Sequence, residues 1–189
     1  ENVLYGDYLL NAQGEVLVEY TPAPKTIDEM PAPAQPVPQP GKVPTNEDLF
    51  LYGQHIEQYR HATYLAGDYY REGLRRDPTD ARINNAYGLL LLRSGQFANA
   101  KPYFEAAIRK LTRSNPNPYD SEPFYNLGVC QKLLGEPQKA YDSFYKATWS
   151  GAWQNAAFYA MACIKAASGE PQAALAHVER SLVRNVHHM

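Results

Sequence analysis

Five histidines and two cysteines are the side chains of this 189-residue chain best suited to bind metal or attack a substrate. His55 and His61 lie six residues apart, which on one helix is about 240° around the axis, so they cannot share a metal ion. His177 stands alone, and His187-His188 near the end of the sequence offer at most adventitious metal binding. Cys130 and Cys163 read as small buried thiols, not as a disulfide or a nucleophile, because neither has a histidine in register to act as its base. The chain contains no HExxH and no GxxxxGK[ST] phosphate loop. No nucleophile elbow presents a serine, and no carboxylate pair is spaced for glycoside cleavage. These residues predict a non-catalytic segment, with no catalytic, cofactor or metal site.

Composition narrows the partners. Eighteen Lys and Arg against 20 Asp and Glu give a net charge of −2. Bulk charge therefore does not hold this chain to nucleic acid or to anionic lipid. No apolar run approaches the roughly 20 residues that cross a bilayer, and two cysteines do not make a disulfide scaffold. The sequence begins at Glu1 without a signal-peptide pattern. A piece of a longer polypeptide is expected, and the free thiols and missing signal favour a cytoplasmic one.

The elements that must position any site fall into three segments. In residues 1–20, Tyr8-Leu9-Leu10 and Val16-Leu17-Val18-Glu19-Tyr20 flank Asn11-Ala12-Gln13-Gly14, which predicts a β-hairpin with a four-residue turn. A lone hairpin is marginal in water, so it is expected to be the end of an upstream β region. Residues 21–44 hold eight of the fifteen prolines and predict an extended linker; a spacer is favoured over a ligand for a proline-binding domain. Two lysines against six acids give residues 1–44 a charge of −4, and residues 45–189 carry +2. From Thr45 onward the pattern is helical. Thr45 and Asp48 resemble a capping box, with Asp in place of Glu.

The helical segment repeats. Gly88, Gly95, Ala100, Phe104 and Ala107 recur with identical spacing as Gly128, Gly135, Ala140, Phe144 and Ala147. Ala162, Gly169, Ala174, Val178 and Ser181 form a third set. Gly53, Ala66, Tyr70 and Gly73 form a degenerate first one, with one residue inserted before Ala66. Steps of 35, 40 and 34 residues separate Gly53, Gly88, Gly128 and Ala162; extra loop around Asn115-Pro116-Asn117-Pro118-Tyr119 accounts for the long one. Each unit decodes as helix A, a turn at Gly95, Gly135 or Gly169, and helix B. Pro137 and Pro171 sit in the first turn of helix B, where a missing amide costs nothing. A mid-helix glycine costs about 1 kcal/mol relative to alanine, so Gly88 and Gly128 predict close helix A to helix B approach. Ala100, Ala140 and Ala174 are the expected facing residues, with Phe104 and Phe144 filling space toward the next unit. Pro102 falls inside one helix B and removes one of its bonds.

This pattern resembles the tetratricopeptide repeat family over about residues 45–186. One unit reads Phe124, Leu127-Gly128, Gln131, Ala140, Phe144 and Ala147, and the preceding one Tyr87-Gly88, Leu91, Ala100, Phe104 and Ala107. Only the first unit keeps the closing proline, as Pro78. The resemblance implies an all-α solenoid of about four helical hairpins, the first degenerate, over 45–189. Three further segments, Glu57-Gln58-Tyr59-Arg60-His61-Ala62-Thr63, Asn115–Asp120 and Tyr145-Lys146-Ala147-Thr148-Trp149, resemble bacterial proteins in which a mutarotase-like β-sandwich precedes such repeats. That implies a link to carbohydrate metabolism, with the catalytic groups of a parent enzyme upstream of Glu1.

The family resemblance also implies a concave wall built by the A helices. Carried over in register, it takes Glu47, Phe50, Gln54, Glu57 and Gln58 from the first unit, and Arg82, Asn85, Leu89, Leu92 and Arg93 from the second. The third gives Glu122, Tyr125, Val129, Lys132 and Leu133, and the fourth Ala156, Tyr159, Cys163, Ala166 and Ala167. Repeat geometry is expected to keep Glu57 and Glu122 more than one unit apart. Arg82, Arg93 and Lys132 suit carboxylates, Asn85 a peptide backbone, and Tyr125 and Tyr159 rigid contact area. A mildly acidic peptide segment is the expected occupant, from a protein partner or from the chain's own upstream region. The chaperone-tail clamp of the family is not expected: Asn126 matches it, but Phe50, Ala86, Ala156 and Ala160 stand where other clamp residues belong. Trp149 and Trp153 are expected to pack between a B helix and the next A helix. The last unit ends near Arg184 without a solvating helix, which predicts self-association through that end.

Overall fold

The computed structural model describes residues 7–22, 30, 33 and 35–183. The chain divides into two compact units, with the boundary between Pro36 and Val37. The first holds a β-hairpin. Strand β1 (Asp7–Leu10) pairs antiparallel with β2 (Val16–Tyr20). The turn is one residue longer than expected, because Glu15 joins it: Asn11 Oδ1 accepts from the amides of both Gln13 and Glu15, at 3.0 and 2.9 Å. Leu10 then pairs with Val16 and Leu9 with Val18, leaving Leu17 as a bulge. Prolines Pro24 and Pro31 of the predicted linker lie outside the described residues.

Among the described residues, the second unit holds eight α-helices in four hairpins. They are α1 (Asn46–Tyr59) with α2 (Ala66–Arg76), α3 (Ala81–Arg93) with α4 (Phe97–Leu111), α5 (Glu122–Leu133) with α6 (Pro137–Ala147), and α7 (Gly151–Ala167) with α8 (Pro171–Leu182). Each helix packs on the next in sequence, so the hairpins stack. Consecutive A helices also touch, α1 with α3, α3 with α5 and α5 with α7, while no pair of B helices does so to a comparable degree. The A helices therefore make the inner wall of this unit.

Local chemistry sets the ends. Thr45 caps α1: its hydroxyl oxygen accepts from the Asp48 amide at 3.0 Å and its O–H donates to Asp48 Oδ2 at 2.6 Å. The reciprocal bond thus runs between side chains, since an aspartate is too short to reach back to the Thr45 amide. Asp80 caps α3 by accepting from the amides of Arg82 and Ile83. Gly95, Gly135 and Gly169 turn the last three hairpins at φ 75–77°, the left-handed region that glycine enters without steric cost. In the degenerate first hairpin Arg60 takes that conformation instead, at φ 48°. Helix α1 consequently stops before His61, so His55 and His61 do not share a helix as expected. The His61 ring lies in the connecting loop, where Nδ1 accepts from the amides of Thr63 and Tyr64.

The segment before α1 is bound into this unit. A single 3-10 turn spans Pro40–Lys42 and Val43 is fully buried. Tyr69 donates its hydroxyl to the Pro38 carbonyl at 2.8 Å, and Arg76 Nη1 donates to the Val43 carbonyl at 2.7 Å. The last prolines of the linker thus supply carbonyl acceptors to α2.

Close packing within hairpins differs in detail from the expectation. A side chain at Gly88 would meet the Phe104 ring, and one at Gly128 the Phe144 ring. The aromatic residue of helix B lies on the glycine of its own hairpin. Phe104 also joins a buried cluster with Leu127 and Cys130 of the next unit, so it fills both spaces. Tyr70 covers Gly53 in the same way. Helix α4 runs unbroken through Pro102.

Candidate functional site

On the inner wall, α1, α3 and the start of α5 enclose a cavity of about 500 Å³. Nine of the wall residues expected from sequence line it: Phe50, Gln54, Glu57, Gln58, Arg82, Asn85, Leu89, Arg93 and Glu122. Glu57 of the first hairpin and Glu122 of the third, two units apart as expected, both open into it. The A helices approach one another closely enough for one cavity to span three hairpins.

Four others that the sequence put on the wall lie elsewhere. Tyr125 is half-buried, with its ring 4.8 Å from Trp153 and 5.4 Å from Phe144. Val129 packs in the cores on either side of α5. Lys132 is exposed, and Tyr159 is 61% exposed on α7. Leu92, also carried over as a wall residue, is buried against Ala100, Phe104 and Leu127 instead.

Sequence reasoning missed five contributors: Ala81 and Ala86 of α3, and three from outside the A helices. Tyr70 belongs to helix B, but with no side chain at Gly53 its ring reaches through to the inner wall. Glycine facing an aromatic at matched spacing was the signal. Asp120 comes from the long loop before α5 and Leu111 from the end of α4, positions that a register based on A helices does not cover. Of the tryptophans, Trp153 packs as expected against the cluster that joins α6 to α7, and Trp149 does not. Trp153 stacks on Tyr125, bridging two A helices, and Trp149 is 58% exposed beneath the Lys146 ammonium.

The cavity's polar groups are partly committed. Tyr70 donates its hydroxyl to Glu57 Oε2 at 2.7 Å, and burial together with this bond pushes the phenol far above its ordinary range. The other Glu57 oxygen lies 3.6 Å from Arg93. Arg82 pairs with Glu47 and lies over the Phe50 ring at 4.4 Å. Asn126, buried on α5, donates to Asn85 Oδ1 at 3.0 Å and so ties α5 to α3. Such a wall can hold a ligand by hydrogen bonds and charge. It shows no nucleophile paired with a base.

The cysteines and His177 lie away from this cavity. Both thiols are free. Cys130 is buried, donates to the Phe97 carbonyl at 3.0 Å, and is pushed up by burial. His177 meets the Tyr141 hydroxyl through Nε2 at 3.0 Å. His187-His188 lie outside the described residues. Among the described residues, no three of His, Cys, Asp and Glu are grouped to hold a metal, and no helix is long and apolar enough to cross a membrane.

Stacked A/B hairpins with glycine turns, aromatic-on-glycine packing and an A-helix inner wall define an all-α solenoid of tetratricopeptide type. A tetratricopeptide repeat family model matches residues 81–109, the α3–α4 hairpin. Among solved structures, MamA is similar over 75% of this chain and 78% of its own, at 17% identity and a TM-score of 0.64. MamA 41-end from Desulfovibrio magneticus RS-1 matches over 75% and 76%, at 17% identity and 0.59. The APC/C hetero-tetramer Cut9–Hcn1 matches over 76% of this chain and 28% of the other, at 19% identity and 0.66. At these identities the likeness is one of fold.

Proposed function

We propose that the helical unit is a non-catalytic interaction module that holds a peptide segment of a partner protein in the cavity between α1, α3 and α5. The observation that carries this reading is Asn85. It is nine-tenths buried, its Oδ1 is taken by Asn126, and its Nδ2 has no acceptor among the described residues. That donor opens onto the cavity, and a peptide carbonyl placed there would accept from it. The multi-chain setting of one similar fold, Cut9 with Hcn1, is in keeping with such a role. The test is a displayed random-peptide library panned on the full chain and counter-screened on Leu89→Arg. Selected peptides should bind the variant at least about tenfold more weakly, a loss of about 1.4 kcal/mol. Equal binding to the variant, or no selection at all, removes this location.

A second reading rests on the hairpin. Tyr8, Leu9, Leu10, Val16, Leu17, Val18 and Tyr20 are each more than half exposed, so both of its faces are apolar and open. Such a hairpin suits addition to a larger β-sheet. The helical unit would then be an accessory part of a carbohydrate-active enzyme, and its partner the enzyme's own upstream region. A coding sequence without a β-sandwich upstream of Glu1 removes that reading.

Self-association through the last hairpin belongs to the first reading. Leu175 and Val183 are 59% and 77% exposed there, and Arg184 lies outside the described residues. Sedimentation at several concentrations tests it, and a monomer throughout counts against it.

A further inference from the structure

The cavity's charges do not cancel, and the excess sits at one end. Arg82 is engaged by Glu47, and Arg93 faces Glu57. An acidic segment would have to displace one of these carboxylates. Asp120 and Glu122 also line the cavity, and neither has a cationic partner among the described residues. One Asp120 oxygen accepts from the Glu122 amide at 2.9 Å. Glu122 Oε1 has only a long contact, 3.5 Å, from Asn126. A second observation is independent of charge: the open donor of Asn85, on the neighbouring helix α3, lines the same cavity.

We infer that the segment bound here presents a basic side chain, arginine or lysine, to Asp120 and Glu122, while one of its backbone carbonyls accepts from Asn85 Nδ2. This rests on the peptide-groove reading above and reverses the charge that the sequence suggested for the occupant. Ala86, Leu89 and Leu111 give the cavity apolar surface, against which the methylene stem of a long basic side chain lies while its head stays with the acids. Charge-assisted bonds between that head and the carboxylates set the preference. A glutamate at the same place meets two like charges.

The test uses the full chain and short fluorescein-labelled peptides, taken from the library selection and identical except for a central Arg, Lys, Ala or Glu. The Arg and Lys peptides should bind about tenfold or more tightly than the Glu peptide. In Asp120→Asn/Glu122→Gln that preference should vanish. The asparagine keeps an acceptor for the backbone amide at position 122, so the bond at the start of α5 is retained. Equal binding of all peptides, or preference for Glu, overturns the inference while leaving the groove reading intact, provided Leu89→Arg still weakens them. A preference for Arg that survives in the double variant also overturns it. Binding of no peptide removes both.

Discussion

The Phe104 ring occupies the space that a side chain at Gly88 would need: a Cβ built there would stand 2.8 Å from it. Gly128 and Phe144 repeat the relationship at 2.7 Å. The glycine is therefore a socket for the ring of helix B, and helix A accepts a poor helix former to provide it.

Gly88→Ala should destabilise the protein by about 1–3 kcal/mol, because overpacking a buried contact outweighs the roughly 1 kcal/mol that alanine adds to a helix. The fourth hairpin shows the alternative pairing, with Ala162 and Val178 at the matched positions. A double-mutant cycle of Gly88→Ala with Phe104→Val, read by urea unfolding, should show favourable coupling of about 0.5–3 kcal/mol. Additive losses would mean that the two sites do not meet.

Tyr70→Phe removes the hydroxyl that donates to Glu57 and should cost about 1.5–3 kcal/mol, typical of a hydrogen bond to a charged group. Urea unfolding with an unchanged slope checks it. A loss near zero would show that water replaces the hydroxyl at Glu57.

His177 gives the last two hairpins a pH dependence. Its Nδ1 is the one buried side-chain polar atom without a partner among the described residues. The ring is flanked by Tyr141 of α6, by Phe158 and Lys165 of α7, and by Arg180 of its own helix. Burial, then Arg180 and Lys165, hold it below the ordinary 6.5. The unfolded chain consequently binds more protons there. This contribution to stability is whole above pH 6.5 and is lost as pH falls through the lowered folded value. Melting temperature measured from pH 8 to pH 5 should fall at the acid end, and less so in His177→Phe. Identical profiles would assign the acid loss to other groups.

Thiol labelling should separate the cysteines. Cys163 is half-buried, whereas Cys130 is fully buried and its ionisation is pushed up. Iodoacetamide on the native protein should modify Cys163 first, with Cys130 reacting only on unfolding. Equal rates under native conditions would indicate that α5 opens readily.

Much of the architecture was legible because it depends on local chemistry. Gly95, Gly135 and Gly169 marked the turns, and Pro137 and Pro171 the helix starts that follow them. The first hairpin was harder to read. Its turn lacks glycine, and Arg60 carries the left-handed conformation that stops α1 before His61. The candidate site was legible only where it lies on A helices. Gln54, Glu57, Arg82, Asn85, Leu89 and Arg93 follow from register. Asp120 and Leu111 come from a loop and a helix end, and Trp153 reaches Tyr125 of α5 besides the α6–α7 cluster.

Residue type and spacing by themselves determined the hairpins and their number, since turn conformations, caps and small-residue sockets act over a few residues; the inward place of the A helices came from the family resemblance. Only the tertiary structure decided which charges are spoken for. Glu47 with Arg82, Glu57 with Arg93 and Asn85 with Asn126 are each joined across 35 or more residues of sequence. The free charge of a groove is what such long-range pairs leave over, and they form only when the hairpins stack.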